Sequence, residues 1–122
     1  MKYESLRWSL KTGDILQMRG KGLFSWILGR FGWASHVGMV LVVEGMVFVY
    51  ESTTLSTVRD YFTGKKVKGV QVVLLSERLR TYKGKIRVRQ LEKPLTSYQK
   101  EILEECRQEF RDRKYEQSLW QL

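Results

Sequence analysis

Several short runs of the chain are rich in the β-branched and aromatic residues typical of β-strands, and one of them, Lys85–Leu91, alternates polar and apolar residues. Turn-forming residues such as Thr12-Gly13-Asp14 and Pro94 bound these runs. Glu44-Gly45 separates two of them and is a two-residue connection typical of a β-hairpin. The runs predicted to form strands are Ile15–Met18, Ser35–Val43, Met46–Thr53, Val70–Leu75 and Lys85–Leu91.

Helical spacing interrupts the strand pattern. Leu23–Phe31 repeats apolar residues at the i, i+3, i+4 spacing of a helix buried on one side, and Val58–Phe62 predicts a short helical turn. Thr96 and Gln99 fit a capping box, which predicts a last helix running to about Arg113. The order of elements predicts an α+β fold with a mainly antiparallel sheet and packed helices.

The predicted hairpin brings the single histidine close to a glutamate. With Glu44-Gly45 as the turn, His36 faces Thr53 and Gly38 faces Glu51, and all four residues lie on one face because side chains alternate along a strand. His36 and Glu51 are then diagonal neighbours, about 7–8 Å apart at the backbone and within side-chain reach. A carboxylate bound to one imidazole nitrogen leaves the other as a general base. The alternative is a histidine satisfied near a strand end, with Glu51 at the solvent edge.

Cys106 is the one cysteine and hence the one candidate thiol nucleophile in the chain. It lies at four-residue spacing from Ile102 and Phe110, which predicts the apolar face of the last helix. A free cysteine there behaves as a small hydrophobe. We therefore expect Cys106 to be buried and away from His36, with a catalytic role as the alternative.

Basic residues exceed acidic ones, 22 to 13, which gives a formal net charge of +9. Lys85, Arg87 and Arg89 share one face of their predicted strand and are candidate substrate-binding residues for phosphate or carboxylate groups. The alternative is a solvated outer face of the sheet. The charge also favours an anionic membrane surface as a partner, whereas no nucleic-acid-binding module accompanies it, so nucleic acid is not expected.

The remaining patterns limit cofactors and location. One histidine and one cysteine do not make a metal site, and no phosphate-binding glycine motif is present, so neither metal nor cofactor is predicted. The N-terminus lacks the apolar segment of a secretory signal, and no apolar run is long enough to span a bilayer. We expect a cytoplasmic or virion-associated protein with one domain over residues 1–122.

Several segments together resemble the permuted NlpC/P60 papain-like cysteine hydrolases. They are Gly13–Leu16, the apolar run after it, Ser35–Val40, Val49–Ser52 and, more weakly, Lys85–Arg89 and the long helix to Tyr115-Glu116. The resemblance implies a papain-like architecture and a hydrolase or acyltransferase acting on an amide or ester bond in a peptide, peptidoglycan or lipid acyl substrate. It maps His36 onto the base and Glu51 onto the residue that orients it.

The family's cysteine follows the segment that Tyr115-Glu116 resembles, and no cysteine follows here up to the last residue, Leu122. The resemblance therefore implies that the nucleophile lies beyond Leu122, in a C-terminal segment that residues 1–122 lack. Alternatively, an oligomer or a second chain completes the site, or the chain is a catalytically silent binding or virion structural module.

Overall fold

An antiparallel sheet organises the computed structural model, which describes residues 3–21, 32–54, 57–111 and 113. Its five strands lie in the order β4-β3-β2-β1-β5, and every neighbouring pair is antiparallel. The predicted α+β class and antiparallel sheet are confirmed. The strands are β1 (Ile15–Gly20), β2 (His36–Val43), β3 (Met46–Thr53), β4 (Gly69–Leu74) and β5 (Gly84–Arg89).

Three α-helices flank the described strands. The helix α1 (Tyr3–Leu6) continues into a 3₁₀ turn over Arg7–Ser9, α2 (Leu75–Thr81) follows β4 directly, and α3 (Ser97–Glu109) follows β5. The predicted capping box opens α3: the Gln99 amide donates to Thr96 Oγ1 at 3.1 Å, and the Thr96 amide donates to Gln99 Oε1 at 2.9 Å.

The β2–β3 hairpin has the predicted register. Val43 pairs with Met46, and the ladder runs to the pair of Met39 and Tyr50. Glu44 and Gly45 both have positive φ, 50° and 78°, which is the backbone of a tight hairpin turn matched to the strand twist. Such a tight turn does not allow the two strands to pair in a shifted register, so the direction of each side chain on both strands is determined.

The two faces of the sheet differ in what covers them. The inner face carries the core side chains and is covered by Leu10, Val58 and Leu75. The outer face carries the alternate side chains, and α3 covers one end of it, where Leu103 and Arg107 line a cavity with Phe48. The core side chains of the inner face are Leu16, Met18, Val40, Val47, Val49 and Val73.

Some predicted boundaries are wrong. Leu75 begins α2 rather than ending a strand, and the last helix ends at Glu109 rather than near Arg113. Val58–Phe62 is not helical, because Asp60 Oδ2 accepts from the Phe62 and Thr63 amides and holds a turn instead. The helix predicted over Leu23–Phe31 lies outside the described residues. Among the described helices, none has the length and apolar character to cross a membrane.

Candidate active site

His36 and Glu51 meet on the inner face, as the hairpin register predicts. His36 begins β2 and pairs with Met18 of β1, while Glu51 lies on β3 just beyond the last β2–β3 pair. His36 Nε2 lies 2.7 Å from Glu51 Oε2. Gly38 lies near the pair on β2, and the structure shows why this position is a glycine, which the sequence pattern did not. A Cβ there would lie 2.6 Å from Val49 Cγ1. Val49 therefore occupies the space that Gly38 leaves.

A buried arginine holds the other oxygen of Glu51. Arg78 of α2 is fully buried, and its Nε donates to Glu51 Oε1 at 2.9 Å while its Nη2 forms a second bond to the same oxygen. Its Nη1 donates to Thr57 Oγ1 at 3.1 Å. Gln71 of β4 also donates to Glu51 Oε1, at 3.1 Å. The carboxylate is thus fixed by three side chains from three separate elements, and it cannot rotate without breaking a buried ion pair.

The pKa of the Glu51 carboxyl is lowered below its ordinary value of 4.5. Burial alone would raise it, but the hydrogen bond with His36 and the charge and hydrogen bonds of Arg78 together outweigh burial. Glu51 is therefore ionised at neutral pH and can only accept hydrogen bonds. His36 Nε2 must donate to it, which leaves Nδ1 as the ring nitrogen able to take a proton.

Ser35 and Tyr82 adjoin the pair. Ser35 Oγ accepts from the Gly20 amide at 3.2 Å and donates to the Met18 carbonyl at 3.3 Å, so it ties the start of β2 to the end of β1. Burial raises the pKa of the Tyr82 hydroxyl, although its hydrogen bond with Ser35 and the charge of Arg78 oppose the rise. Tyr82 therefore stays a neutral phenol, electrostatically coupled to Glu51.

Cys106 is not brought to His36. Cys106 lies on α3, whose Arg107 lines cavities with Phe48 and Tyr50 of β3. Both of these β3 residues project from the face of the sheet opposite to Glu51. Burial chiefly raises the pKa of the Tyr50 hydroxyl, and Arg107 of α3 partly offsets that effect. The sheet separates Cys106 from His36, which argues against Cys106 as the nucleophile of this site. The thiol is half-buried rather than enclosed in the core.

The segment that the family resemblance places before the nucleophile falls at the end of the chain. Tyr115-Glu116 and Leu122 both lie outside the described residues. The cysteine expected beyond Leu122 therefore stays a prediction. Within residues 1–122, Cys106 is the one thiol, and the sheet lies between its helix and His36, so the described residues do not assemble a cysteine–histidine pair.

The basic residues of β5 are also on the other side. Arg87 pairs with Gln17 and Arg89 with Ile15, whose neighbours Leu16 and Met18 are core residues of the inner face. Arg87 and Arg89 therefore point to the outer face with Lys85, as their alternation predicts. The sheet lies between these three residues and the His36–Glu51 pair, which argues against the substrate-binding role expected of them beside His36.

Arg78 and Gln71 were not predicted as site residues from the sequence, although both side chains bind Glu51 and complete the site. The Leu75 and Leu79 spacing is compatible with a helix that places Arg78 beside an apolar stripe, but a segment this short does not by itself distinguish a helix from a strand. The described residues contain no group of three or more His, Cys, Asp and Glu side chains that could hold a metal ion. A cleft of about 570 Å³ adjoins the His36–Glu51 pair, while cavities of about 330 and 500 Å³ lie by α3.

The sequence matches no protein-family model and no curated protein.

Proposed function

We propose that this chain supplies the base of a cysteine-dependent hydrolase or acyltransferase of the permuted NlpC/P60 papain-like kind. The observation that carries the proposal is the 2.7 Å contact of His36 Nε2 with Glu51 Oε2, made to a carboxylate that buried Arg78 holds in place. A carboxylate held this firmly does more than accept one hydrogen bond from His36, because it also determines which imidazole nitrogen is free to act as a base. The proposed substrate is an amide or ester of a peptide, peptidoglycan or lipid.

His36 takes and returns one proton in each half-reaction. Its Nδ1 accepts the proton of a cysteine thiol, and the thiolate attacks the carbonyl carbon of the substrate. As the tetrahedral intermediate collapses, the imidazolium gives that proton to the departing amine or alcohol. Water, or an acceptor alcohol or amine, then attacks the acyl-thioester with His36 again as base, and the thiol is restored.

The thiol in this proposal comes from outside residues 1–122. Cys106 is the chain's one cysteine, and it lies on α3, which packs against the outer face. A segment of the same polypeptide beyond Leu122, or a second chain, would bring a cysteine to the inner face beside His36.

A small thiol can stand in for the absent cysteine in a test. The 122-residue chain is mixed with mercaptoethanol and p-nitrophenyl acetate, and release of p-nitrophenol is followed. We expect a rate above that of the thiol alone, because general-base catalysis typically contributes a factor of about 10²–10⁴. His36→Ala should remove the excess rate, whereas Cys106→Ser should keep it.

Two results would contradict the proposal. One is a wild-type chain that adds nothing to the rate of the free thiol. The other is a rate that survives in His36→Ala and disappears in Cys106→Ser.

A catalytically silent binding or virion structural module is the second candidate. It is favoured by the separation of Cys106 from His36, since no thiol among the described residues reaches the pair. In that case Glu51, Arg78 and His36 form a purely structural network, and the first of the two contradicting results is the expected one.

A further inference from the structure

Cations face one another across the β1–β5 pair on the outer face. Arg19 pairs directly with Lys85, and like charges opposite each other on adjacent strands destabilise a sheet. Arg87 and Arg89 follow along the same face. Within the described part of the chain no carboxylate forms an ion pair with these four cations, which we call the basic row (Arg19, Lys85, Arg87, Arg89).

Neutral groups hold part of the basic row in place. Arg87 Nε donates to Gln17 Oε1 at 2.9 Å, and Arg89 Nε donates to the same oxygen at 3.3 Å. The Arg87 guanidinium also lies 4.0 Å from the centroid of the Trp33 ring. These contacts orient two guanidinium groups side by side while leaving their charges uncompensated, which favours an external anion.

An apolar cleft borders the basic row. Ile15 pairs with Arg89 on one side and with Met39 on the other, so the outer face passes from cationic to apolar within one row of paired residues. Val37, at 55% exposure, belongs to the same apolar part. This is the cleft of about 570 Å³ that also adjoins the His36–Glu51 pair, because β2 and β3 are no longer paired beyond Met39 and Tyr50. Its outer-face residues are Ile15, Val37, Met39, Tyr50, Ser52 and Val70.

We propose that this outer face docks on an anionic phospholipid surface, with the basic row on lipid phosphate groups and the cleft taking the apolar part of a lipid. Charge complementarity selects the anion, and the apolar cleft beside the cations selects an amphiphile over a nucleic acid, which would leave Val37 and Met39 in water. Trp33 next to Arg87 suits a membrane–water interface, where tryptophan is enriched. The net charge of +9 steers the chain to such a surface. The inference concerns binding alone and does not depend on the chemistry of His36.

Vesicle sedimentation tests the inference. The 122-residue chain is mixed with phosphatidylcholine vesicles, either pure or containing about one third phosphatidylserine. We expect binding to the anionic vesicles only, weakening as salt rises above about 0.1 M. Replacing Lys85, Arg87 and Arg89 together by Gln should weaken binding about 100-fold, because each cation at an anionic leaflet contributes a factor of about five. The matched control replaces exposed Lys65, Lys66 and Lys100 by Gln and should bind far more tightly than that triple variant.

A second pair of variants tests the cleft. Val37 and Val43 lie on the same strand and face, and each is 55% exposed, but only Val37 lines the cleft. We expect Val37→Asp to weaken vesicle binding about ten-fold, because it puts a charge where apolar contact is proposed. Val43→Asp should bind nearly as the wild type does. Circular dichroism checks that each variant is folded.

Several outcomes would overturn the docking surface. Equal losses in the two triple variants would show a general charge effect, and equal losses in the two valine variants would remove the cleft from the account. Displacement by millimolar glycerol phosphate would indicate a site for a free phosphate. Tighter binding of a single-stranded oligothymidylate, lost in the Lys85/Arg87/Arg89 variant, would assign the basic row to nucleic acid.

Discussion

At the scale of single residues, Glu51 is the centre of the site. Its two carboxylate oxygens have different partners: Oε2 contacts His36, and Oε1 accepts hydrogen bonds from Arg78 and Gln71. A charge pair with no exposed side-chain surface contributes little net stability but is costly to break from one side. Gln71 Oε1 is buried without a hydrogen-bond partner in the described part of the chain, so the network retains one unsatisfied acceptor.

Removing the charge of Glu51 should destabilise the protein strongly. We expect Glu51→Gln to lower the free energy of unfolding in urea by about 3–5 kcal/mol, because Arg78 is left buried without a counter-ion. Adding Arg78→Met should recover part of that loss. A double variant whose loss equals the sum of the two single losses would show that Glu51 and Arg78 are not coupled.

The Glu51–Arg78 pair should also make stability depend on pH. Because the pKa of Glu51 is lowered in the folded state, the unfolded chain binds the proton first as pH falls. The stabilisation is therefore complete above the ordinary value of 4.5 and is lost as pH falls through the lowered folded pKa. Urea unfolding at a series of acidic pH values should show a steeper loss for the wild type than for Glu51→Gln/Arg78→Met. Parallel curves would contradict it.

The two halves of this network differed in how well sequence could locate them. His36 and Glu51 were found because a two-residue turn determines register, and register determines the facing side chains over the whole hairpin. Arg78 was missed because α2 is a short helix of residues 75–81 that begins without a side-chain cap directly after an apolar strand. Periodicity over so few residues does not separate strand from helix, and the partner of a buried charge comes from tertiary packing.

At the scale of elements, α3 depends on its own ends more than on the core. It contains no fully buried residue, and Ile102 is 40% exposed. Its apolar residues have the predicted helical spacing, but they are less buried than predicted, because α3 covers only the end of the outer face near Phe48. Helices with little packing rely on caps and side-chain pairs, such as Arg107 with Glu104 at 2.8 Å.

Removing the cap should therefore open α3 without unfolding the sheet. We expect Thr96→Ala to cost about 1 kcal/mol of helix stability, which lowers hydrogen-exchange protection of the α3 amides about five-fold. Amides of β2 and β3 should keep their protection. Ser97→Ala, one residue later and without a capping bond, is the control. Equal loss of protection in helix and sheet would mean that α3 unfolds only with the whole domain.

At the scale of the whole molecule, the sheet keeps two kinds of chemistry apart. The inner face holds the His36–Glu51–Arg78 network, and the outer face holds the basic row and is covered at one end by α3, which carries Cys106. Alternation along strands made each face predictable from sequence, as with Lys85, Arg87 and Arg89. That these three residues lie on the face opposite the His36–Glu51 pair was not predictable, because the face that becomes the core depends on the segments that pack against it.

Removing the repulsion between Lys85 and Arg19 tests whether these cations stabilise the fold or are available to bind an external anion. Lys85→Gln should raise the free energy of unfolding by about 0.2–1 kcal/mol, because it removes the charge opposite Arg19. The gain should shrink in high salt. A loss of stability would mean that Lys85 has a stabilising role in the fold, and the basic row would then need no external anion.

The central claim is that Glu51 holds His36 by Nε2 and leaves Nδ1 free as the base. The chain has one histidine, so a ¹⁵N-labelled sample gives one pair of ring nitrogens to observe by NMR. In the neutral imidazole we predict a proton on Nε2, slow to exchange because it is hydrogen-bonded to Glu51, and an unprotonated Nδ1. A proton on Nδ1, or two nitrogens averaged by rapid exchange as in free imidazole, would contradict the account.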